Sequence, residues 1–244
     1  MARTWIVGHR GASGHAPENT MAAFRRAVEM GAGFIETDLH ISRDARLVCV
    51  HDASLERTTN GSGLVKEMTL QELKALDAGS WFHPEFAGER IPTLEEVLAF
   101  AREKDIVFFL EVKQEAAWGI EHGLVAALRD AQEAARTVIL SFSPGILRNV
   151  LRLDHTLLTG LLFESLPNGG SQAMVQRALD VGARQLAPRG DLVSIELVEL
   201  AHRHDLLVVC WTVNQPQHMR ALIAAGVDGI MTDYPDRLAA ALNE

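Results

Sequence analysis

Two carboxylates stand two residues apart in the segment IETDL, at Glu36 and Asp38. Alternate residues of a strand point to the same face, so these two side chains would lie together. Carboxylates on one face repel each other and lose hydration, which a bound cation makes tolerable. The segment LEVK repeats the pattern with Glu111 and Lys113. Because carboxylates without a thiolate are typical of a hard metal site, we expect Glu36, Asp38 and Glu111 to bind one divalent cation, Mg²⁺ or Ca²⁺, with Mn²⁺ a further option.

Histidines close two apolar segments that read as strands. His9 and Arg10 follow TWIVG, and His51 closes RLVCVHD. Histidine has a reference pKa of about 6.5 and can therefore accept or donate a proton near neutral pH. Cleavage of a phosphodiester requires both transfers, one from the attacking oxygen and one to the leaving alkoxide. His9 and His51 are the candidate acid–base pair, and Arg10 and Lys113 are the candidates to hold the non-bridging oxygens.

The formal charges of these groups predict how an anion would bind. The three carboxylates outnumber the two cationic side chains, Arg10 and Lys113, by one charge. The metal-free site would therefore repel a phosphodiester, whereas one divalent cation reverses the sign. We expect an anionic substrate to bind well only to the metal-loaded protein.

Short apolar segments alternate with amphipathic segments along the chain. Near-continuous apolar strands are typical of a parallel sheet covered by helices. Eight strand–helix units favour a closed (β/α)8 TIM barrel of the α/β class, and no Gly-rich nucleotide-binding loop favours an open sheet. The site of such a barrel lies at the carboxyl ends of its strands, where the candidate residues fall. The predicted strands are 4–8, 34–38, 106–112, 137–142, 157–163, 184–188, 206–213 and 228–232.

One region departs from this alternation. After the second strand, RLVCVHD and about forty further residues precede the next helix–strand unit. This region contains Thr69 and Glu72 at the spacing of a capping box, followed by aromatic residues expected to pack the segment. We predict a single domain over 1–244, in which residues 53–91 form an inserted cap over the C-terminal mouth of the barrel. The aromatic residues are Trp81, Phe82 and Phe86.

Composition limits the partners. The 244 residues are 48% hydrophobic and 23% charged, as in an ordinary globular protein. The net charge of −9 and the lack of a basic block argue against nucleic acid. The longest apolar runs are strand-sized, and the first residues resemble no signal peptide. We expect a cytoplasmic protein with no stable membrane insertion, in which Cys49 and Cys210 are reduced thiols. The sequence does not specify an oligomeric state.

Long motifs resemble the glycerophosphodiester phosphodiesterase family. They are HRGASGHAPENT at 9–20, IETDLHISRDARLVCVHD at 35–52 and LERTTNGSG at 55–63, with LEVK, WTVN and GIMTDYP further on. The resemblance spans nearly the whole chain and implies a barrel with a small cap that hydrolyses small-molecule glycerophosphodiesters to an alcohol and sn-glycerol 3-phosphate. It implies metal carboxylates at Glu36, Asp38 and Glu111, catalytic histidines at His9 and His51, phosphate-binding groups at Arg10 and Lys113, and a glycerol-side aromatic at Trp211.

Other functions are consistent with some of these residues. A lysophospholipase D-type phosphodiesterase would apply the same chemistry to lysophospholipids, but it would need a surface for an acyl chain. A non-catalytic sugar-phosphate binding module would have no use for two histidines beside a metal. A metal-dependent amidohydrolase would have a His-x-His pair on its first strand, where this chain has His9-Arg10-Gly11.

Several residues near the motifs are interpreted first as structural. His40 continues the phase of the carboxylate pair but is expected past the strand end, in a loop. Arg57 is interpreted as fixing the path of the chain into the insertion. Trp211 is equally consistent with core packing. Three residues that precede predicted helices are interpreted as caps, namely Asn19, Thr20 and Asp233.

Overall fold

The strands of the computed structural model form one sheet, and the residues described are 4–113 and 119–244. The strand bounds are β1 (Trp5–Gly8), β2 (Phe34–Ile41), β3 (Leu47–Cys49), β4 (Val107–Val112), β5 (Thr137–Ser141), β6 (Leu158–Phe163), β7 (Gln185–Pro188), β8 (Leu207–Cys210) and β9 (Gly229–Thr232). All of them except β3 pair in parallel in chain order, and β9 pairs with β1, so eight strands close into a barrel. The predicted (β/α)8 fold is confirmed.

Helices follow the strands on the outside of the barrel. Their bounds are α1 (Met21–Glu29), α2 (Leu70–Ala75), α3 (Leu94–Lys104), α4 (Ile120–Ala131), α5 (Pro144–Leu153), α6 (Gly170–Val181), α7 (Ile195–Arg203), α8 (Pro216–Ala225) and α9 (Pro235–Ala241). Side-chain oxygens satisfy the free N–H groups at several helix starts. The predicted cap Thr20 accepts from the N–H of Ala23 in α1. Within the described residues, no helix is long and apolar enough to cross a bilayer.

Two apolar layers hold the barrel together. The larger layer lies between strands and helices, and includes Phe24 of α1 packed edge-on against Phe108 of β4. The smaller layer fills the barrel interior with side chains such as Val7, Phe109 and Met231. Interior and exterior side chains alternate along each strand, so a strand buried on both faces must be apolar at nearly every position. This burial explains the near-continuous apolar strands of the sequence.

Strand β2 is longer than the sequence predicted. It continues past Asp38 to Ile41 because its last residues pair antiparallel with β3, with His40 opposite Val48. The expectation that His40 lies in a loop was therefore wrong. The β3 partner, which the hydrophobic pattern of β2 alone does not reveal, extends the strand beyond the rim of the barrel.

Residues 53–91 follow β3 and pack against it. A third apolar cluster joins Val48 of β3 to Leu55, Leu73 and Ile91 of this segment. Thr69 caps the start of helix α2, and the capping box with Glu72 is present as predicted. The three aromatic residues of the segment pack edge to face, Trp81 on Phe82 and Phe82 on Phe86.

Candidate active site

Three carboxylates meet at the C-terminal end of the barrel. Phe34 begins β2 on the barrel interior, and Glu36 and Asp38 follow it in the same phase. Asp38 lies directly beside Glu111 in the parallel register of β2 and β4. One oxygen from each carboxylate lies within 4.8 Å of the others, and the residues are only 2%, 1% and 8% exposed. The sequence correctly placed these acids together.

The donor set fits a divalent cation. Oε1 of Glu36 is buried and accepts no hydrogen bond from the described residues. Burial, followed by the negative charges of Asp38 and Glu111, raises the pKa of Glu36 well above its usual value. Burial and the neighbouring Asp38 likewise raise the pKa of Glu111. An acceptor left unpaired among buried acids is costly, and a hard cation with oxygen ligands would satisfy it.

Two cationic side chains lie against the same acids. Nζ of Lys113 is 2.6 Å from Oδ1 of Asp38 and 2.6 Å from Oε1 of Glu111, and Nε of Arg10 is 3.3 Å from Oδ2 of Asp38. Burial opposes ionisation of Asp38, but Lys113 and Arg10 outweigh it and lower the pKa of Asp38. The cluster is therefore a mixed one, in which two cations balance part of the carboxylate charge.

A left-handed turn after β1 aims Arg10 at this cluster. Arg10 has a φ of +54°, and its backbone N–H donates to Oε2 of Glu36 at 2.9 Å. The next residue, Gly11, has a φ of +85°, and a Cβ there would lie 2.6 Å from the backbone of Ala23 in α1. Only glycine allows α1 to approach so closely.

His9 lies beside the carboxylates, and one of its ring nitrogens is hydrogen-bonded to Asp233. Its Nε2 is 3.9 Å from Oε2 of Glu36, and its Nδ1 is 2.7 Å from Oδ1 of Asp233. Burial opposes ionisation of Asp233, but hydrogen bonds from His9, Asn214 and Ser13 bring its pKa down to about 2. An ionised carboxylate can only accept, so Nδ1 of His9 donates and its Nε2 is the atom available for proton transfer.

His51 follows β3 and has the same arrangement. Its Nδ1 donates to Oδ1 of Asp52 at 2.6 Å. The Arg57 hydrogen bond is the main cause that lowers the pKa of Asp52 to about 2. Burial, with Lys113 and Arg10 adding to it, lowers the pKa of His51 itself despite the opposing charge of Asp38. Burial therefore favours the neutral form of the His51 ring.

Trp211 lies at the same end of the barrel, directly after β8. Its Nε1–H donates to the carbonyl of Ala187 at 2.7 Å, and its ring meets Phe142 edge-on with centroids 5.5 Å apart. The ring is partly exposed and packs on the interior apolar layer. The structure thus gives Trp211 a packing role and leaves the residue partly exposed.

Two cap predictions were wrong, and both concern the site. Asn19 has a φ of +55°, and its amide donates to Oδ2 of Asp38 at 2.8 Å instead of capping α1. Asp233 holds His9, and the residue at the start of α9 is Tyr234. Glu18, Asp52 and Asn214 also contact site residues and were not singled out from the sequence. Their only sequence signal is their position inside the long motifs.

Fold and site define a (β/α)8-barrel protein with a buried acidic cluster and two histidines, each of which donates its Nδ1–H to an aspartate. The sequence profile of the Glycerophosphoryl diester phosphodiesterase family matches residues 9–237. A glycerophosphodiester phosphodiesterase of Caldanaerobacter subterraneus is 41% identical over 238 residues, which cover 97% of this chain and 96% of the relative.

Solved structures show the same similarity. A phosphodiesterase of Oleispira antarctica, in complex with the product sn-glycerol-3-phosphate, is 28% identical with a TM-score of 0.89, over 99% of this chain and 98% of that one. A glycerophosphodiester phosphodiesterase of Agrobacterium tumefaciens is 28% identical with a TM-score of 0.86, over 97% and 99% of the two chains. The chain belongs to the glycerophosphoryl diester phosphodiesterase family.

Proposed function

We propose that this protein hydrolyses glycerophosphodiesters to an alcohol and sn-glycerol 3-phosphate in a metal-dependent reaction. The observation that carries the proposal is the buried cluster of Glu36, Asp38 and Glu111, flanked by His9 and by His51 and its carboxylate partner. Family membership and the product held by the Oleispira antarctica relative support the substrate class.

Glu36, Asp38 and Glu111 would hold one divalent cation, Mg²⁺ or Ca²⁺, with Mn²⁺ also compatible with oxygen ligands. The unpaired Oε1 of Glu36 supports this assignment. When bound, the cation would offset the charge of the acids and of the phosphodiester oxygens as negative charge develops on them.

The two histidines would divide the proton transfers. His51, whose pKa burial lowers, would accept the proton of the attacking oxygen at its Nε2. His9, whose Nδ1 is held by Asp233 at 2.7 Å, would make the second transfer, from its Nε2 to the leaving alkoxide. The Nδ1 of each histidine would stay protonated throughout the reaction and would keep donating its hydrogen bond to the aspartate beside it.

Substrate would be held by groups around the cluster. Arg10 and Lys113 lie within 3.3 Å of Asp38 oxygens and would bind the non-bridging phosphate oxygens. The accessible part of the Trp211 ring would pack against the glycerol side of the substrate.

Residues 53–91 would act as a cap over this mouth. The segment has its own apolar cluster with β3, and its Arg57 reaches Glu18 in the loop after β1. A cytoplasmic location is our further proposal, supported by the two free and buried thiols, Cys49 and Cys210.

The test is a matrix of metals against substrates on the purified protein. Turnover of glycerophosphocholine with Mg²⁺, Ca²⁺ or Mn²⁺, lost with chelator, is the expected result. His9→Ala and His51→Ala should each lower kcat on the order of 10²–10⁴-fold. Absence of turnover with every metal would refute the proposal, and turnover of lysophosphatidylcholine alone would favour the lysophospholipase D-type activity.

A second experiment identifies the nucleophile. The glycerol 2-hydroxyl of the substrate could attack to give a cyclic phosphate, or water could attack directly. A substrate analogue without that hydroxyl distinguishes the two, because undiminished hydrolysis of the analogue excludes the internal route.

A further inference from the structure

Arg57 stands at the start of the 53–91 segment and contacts two acids that are far apart in the chain. Its Nε donates to Oδ2 of Asp52 at 2.6 Å. Its Nη1 and Nη2 donate to the two oxygens of Glu18 at 2.7 and 2.8 Å. Three donors of one guanidinium are therefore committed, in a planar fork that suits two carboxylates at once.

Each of these acids in turn holds a candidate site residue. The other oxygen of Asp52 accepts from Nδ1 of His51 at 2.6 Å, and Oε1 of Glu18 accepts from Nη1 of Arg10 at 2.8 Å. A continuous path of hydrogen bonds therefore runs from His51 to Arg10, and Arg57 is its central member.

The charges along this path explain why a cation is needed at position 57. The Glu18 side chain is only 12% exposed and lies between two guanidiniums, which outweigh its burial and lower its pKa. Without Arg57, both oxygens of Glu18 would be left to Arg10 and would draw that guanidinium away from Asp38. Asp52 would also lose the guanidinium that fixes its carboxylate behind His51.

We propose that Arg57 is a positioning residue for the reaction: through Asp52 it orients the ring of His51, and through Glu18 it sets the guanidinium of Arg10. It touches neither substrate nor reacting atoms in this role. The inserted segment would thereby contribute to the chemistry through one side chain. The activity readout of this proposal rests on the proposed function.

The experiment compares Arg57→Ala and Arg57→Lys with wild type, with Arg43→Ala as matched control. Arg43 is a similarly exposed arginine that pairs with Glu72 of the same segment at 3.2 Å, outside the path. We expect kcat to fall about tenfold to a hundredfold in both Arg57 variants, as for other groups that orient reactive side chains. In Arg43→Ala, kcat and KM should stay as in wild type. Lysine should fail because a single ammonium cannot span both carboxylates.

Two further measurements distinguish a role of Arg57 in positioning His51 and Arg10 from a role in only attaching residues 53–91 to the barrel. Millimolar methylguanidinium should restore part of the kcat of Arg57→Ala, and ¹⁵N chemical shifts should show that the Nδ1–H preference of His51 is lost in that variant. A kcat within about twofold of wild type would overturn the proposal. The proposal would also be overturned if kcat fell in Arg57→Ala while the ¹⁵N shifts of His51 stayed unchanged and methylguanidinium restored no activity. If Arg57→Ala does not fold, the kcat and the His51 shifts of Arg57→Lys decide the proposal in the same way.

The outcomes also distinguish this inference from the proposed function. Absence of wild-type turnover would refute the function, while the His51 shifts would still test Arg57. Normal wild-type turnover with an unaffected Arg57→Ala would refute the inference alone.

Discussion

At the residue scale, the two candidate histidines are held in the same way, but the groups around the two aspartates that hold them differ in charge. Each ring donates its Nδ1–H to an aspartate, Asp233 for His9 and Asp52 for His51. Asp233 is held in addition by the neutral donors of Ser13 and Asn214, whereas the charge of Asp52 is compensated by Arg57. The two aspartates thus differ in the groups that hold them, neutral donors for Asp233 and a guanidinium for Asp52.

The role of Asp233 predicts the effect of Asp233→Asn. The amide lacks the charge that favours the Nδ1–H form of His9, so kcat should fall about tenfold to a hundredfold while KM changes little. Steady-state kinetics with saturating metal would measure this. Asp236→Asn is the control, because Asp236 lies three residues further on, in the first turn of α9, and pairs with the half-buried His15. Equal kinetics of the two variants would contradict the role given to Asp233.

The environment of His51 predicts its titration. Burial lowers the pKa of its imidazolium, so the ring should lose its proton below the ordinary value of 6.5 as pH rises. The Cε1–H resonance of His51, assigned by its absence in His51→Ala, should titrate with a midpoint under that value. If His51 is the base, the acidic limb of kcat/KM lies there too. A midpoint at or above 6.5 would show that the Asp38 charge outweighs burial.

Some of these roles could be predicted from the sequence and others could not. Glu36 and Asp38 are two residues apart on a strand, so strand periodicity alone puts them on one face. Asp233 precedes a helix, where aspartate is a common cap, and local sequence cannot show that His9 lies beside it 224 residues away. Contacts between distant segments decide such roles.

At the element scale, strand ends do most to build the site. The antiparallel β2–β3 pairing carries β2 past the barrel rim, and Nε2 of His40 lies 3.1 Å from the carbonyl oxygen of His51. The eight barrel strands were predictable because burial on both faces makes them continuously apolar. The end of β2 was not, because a three-residue partner strand leaves little trace in the sequence.

The turn after β1 predicts that Gly11→Ala is harmful. A Cβ at Gly11 would lie 2.6 Å from the backbone of Ala23, at a φ of +85°. Gly31→Ala is the matched control, since Gly31 has a φ of +89° but, among the residues that the structure describes, a Cβ there would meet no heavy atom within 4 Å apart from its own local backbone. We expect Gly11→Ala to lower the free energy of unfolding by about 1–3 kcal/mol more than the control. Equal denaturant midpoints would show that α1 can move away without cost.

At the scale of the whole molecule, the barrel interior is divided into an apolar part and a charged end. Side chains such as Val7, Phe109 and Met231 fill the interior, while the acids gather where β2 and β4 end. The chain carries a net charge of −9, so it has no general attraction for an anion. Under the proposed function, affinity for a phosphodiester would come from Arg10, Lys113 and the proposed cation.

This division predicts how metal and pH act together on stability. The pKa values of Glu36 and Glu111 are raised in the folded chain. Their contribution to the stability of the metal-free protein is thus present below the ordinary value of 4.5 and is lost as pH rises through the raised values. The proposed divalent cation would bind the ionised acids, so it should stabilise the protein more at higher pH, where protons no longer compete for them.

Melting temperatures with saturating Mg²⁺ or Ca²⁺ and with chelator, compared from about pH 5 to about pH 8, measure this coupling. The difference between the two curves should widen toward high pH. Glu36→Gln should abolish most of the difference, because it removes a ligand. Glu133→Gln should preserve it, because Glu133 is an equally buried acid that pairs with Arg102 away from the mouth. A difference that is absent, or that narrows as pH rises, would mean that these acids do not bind the cation.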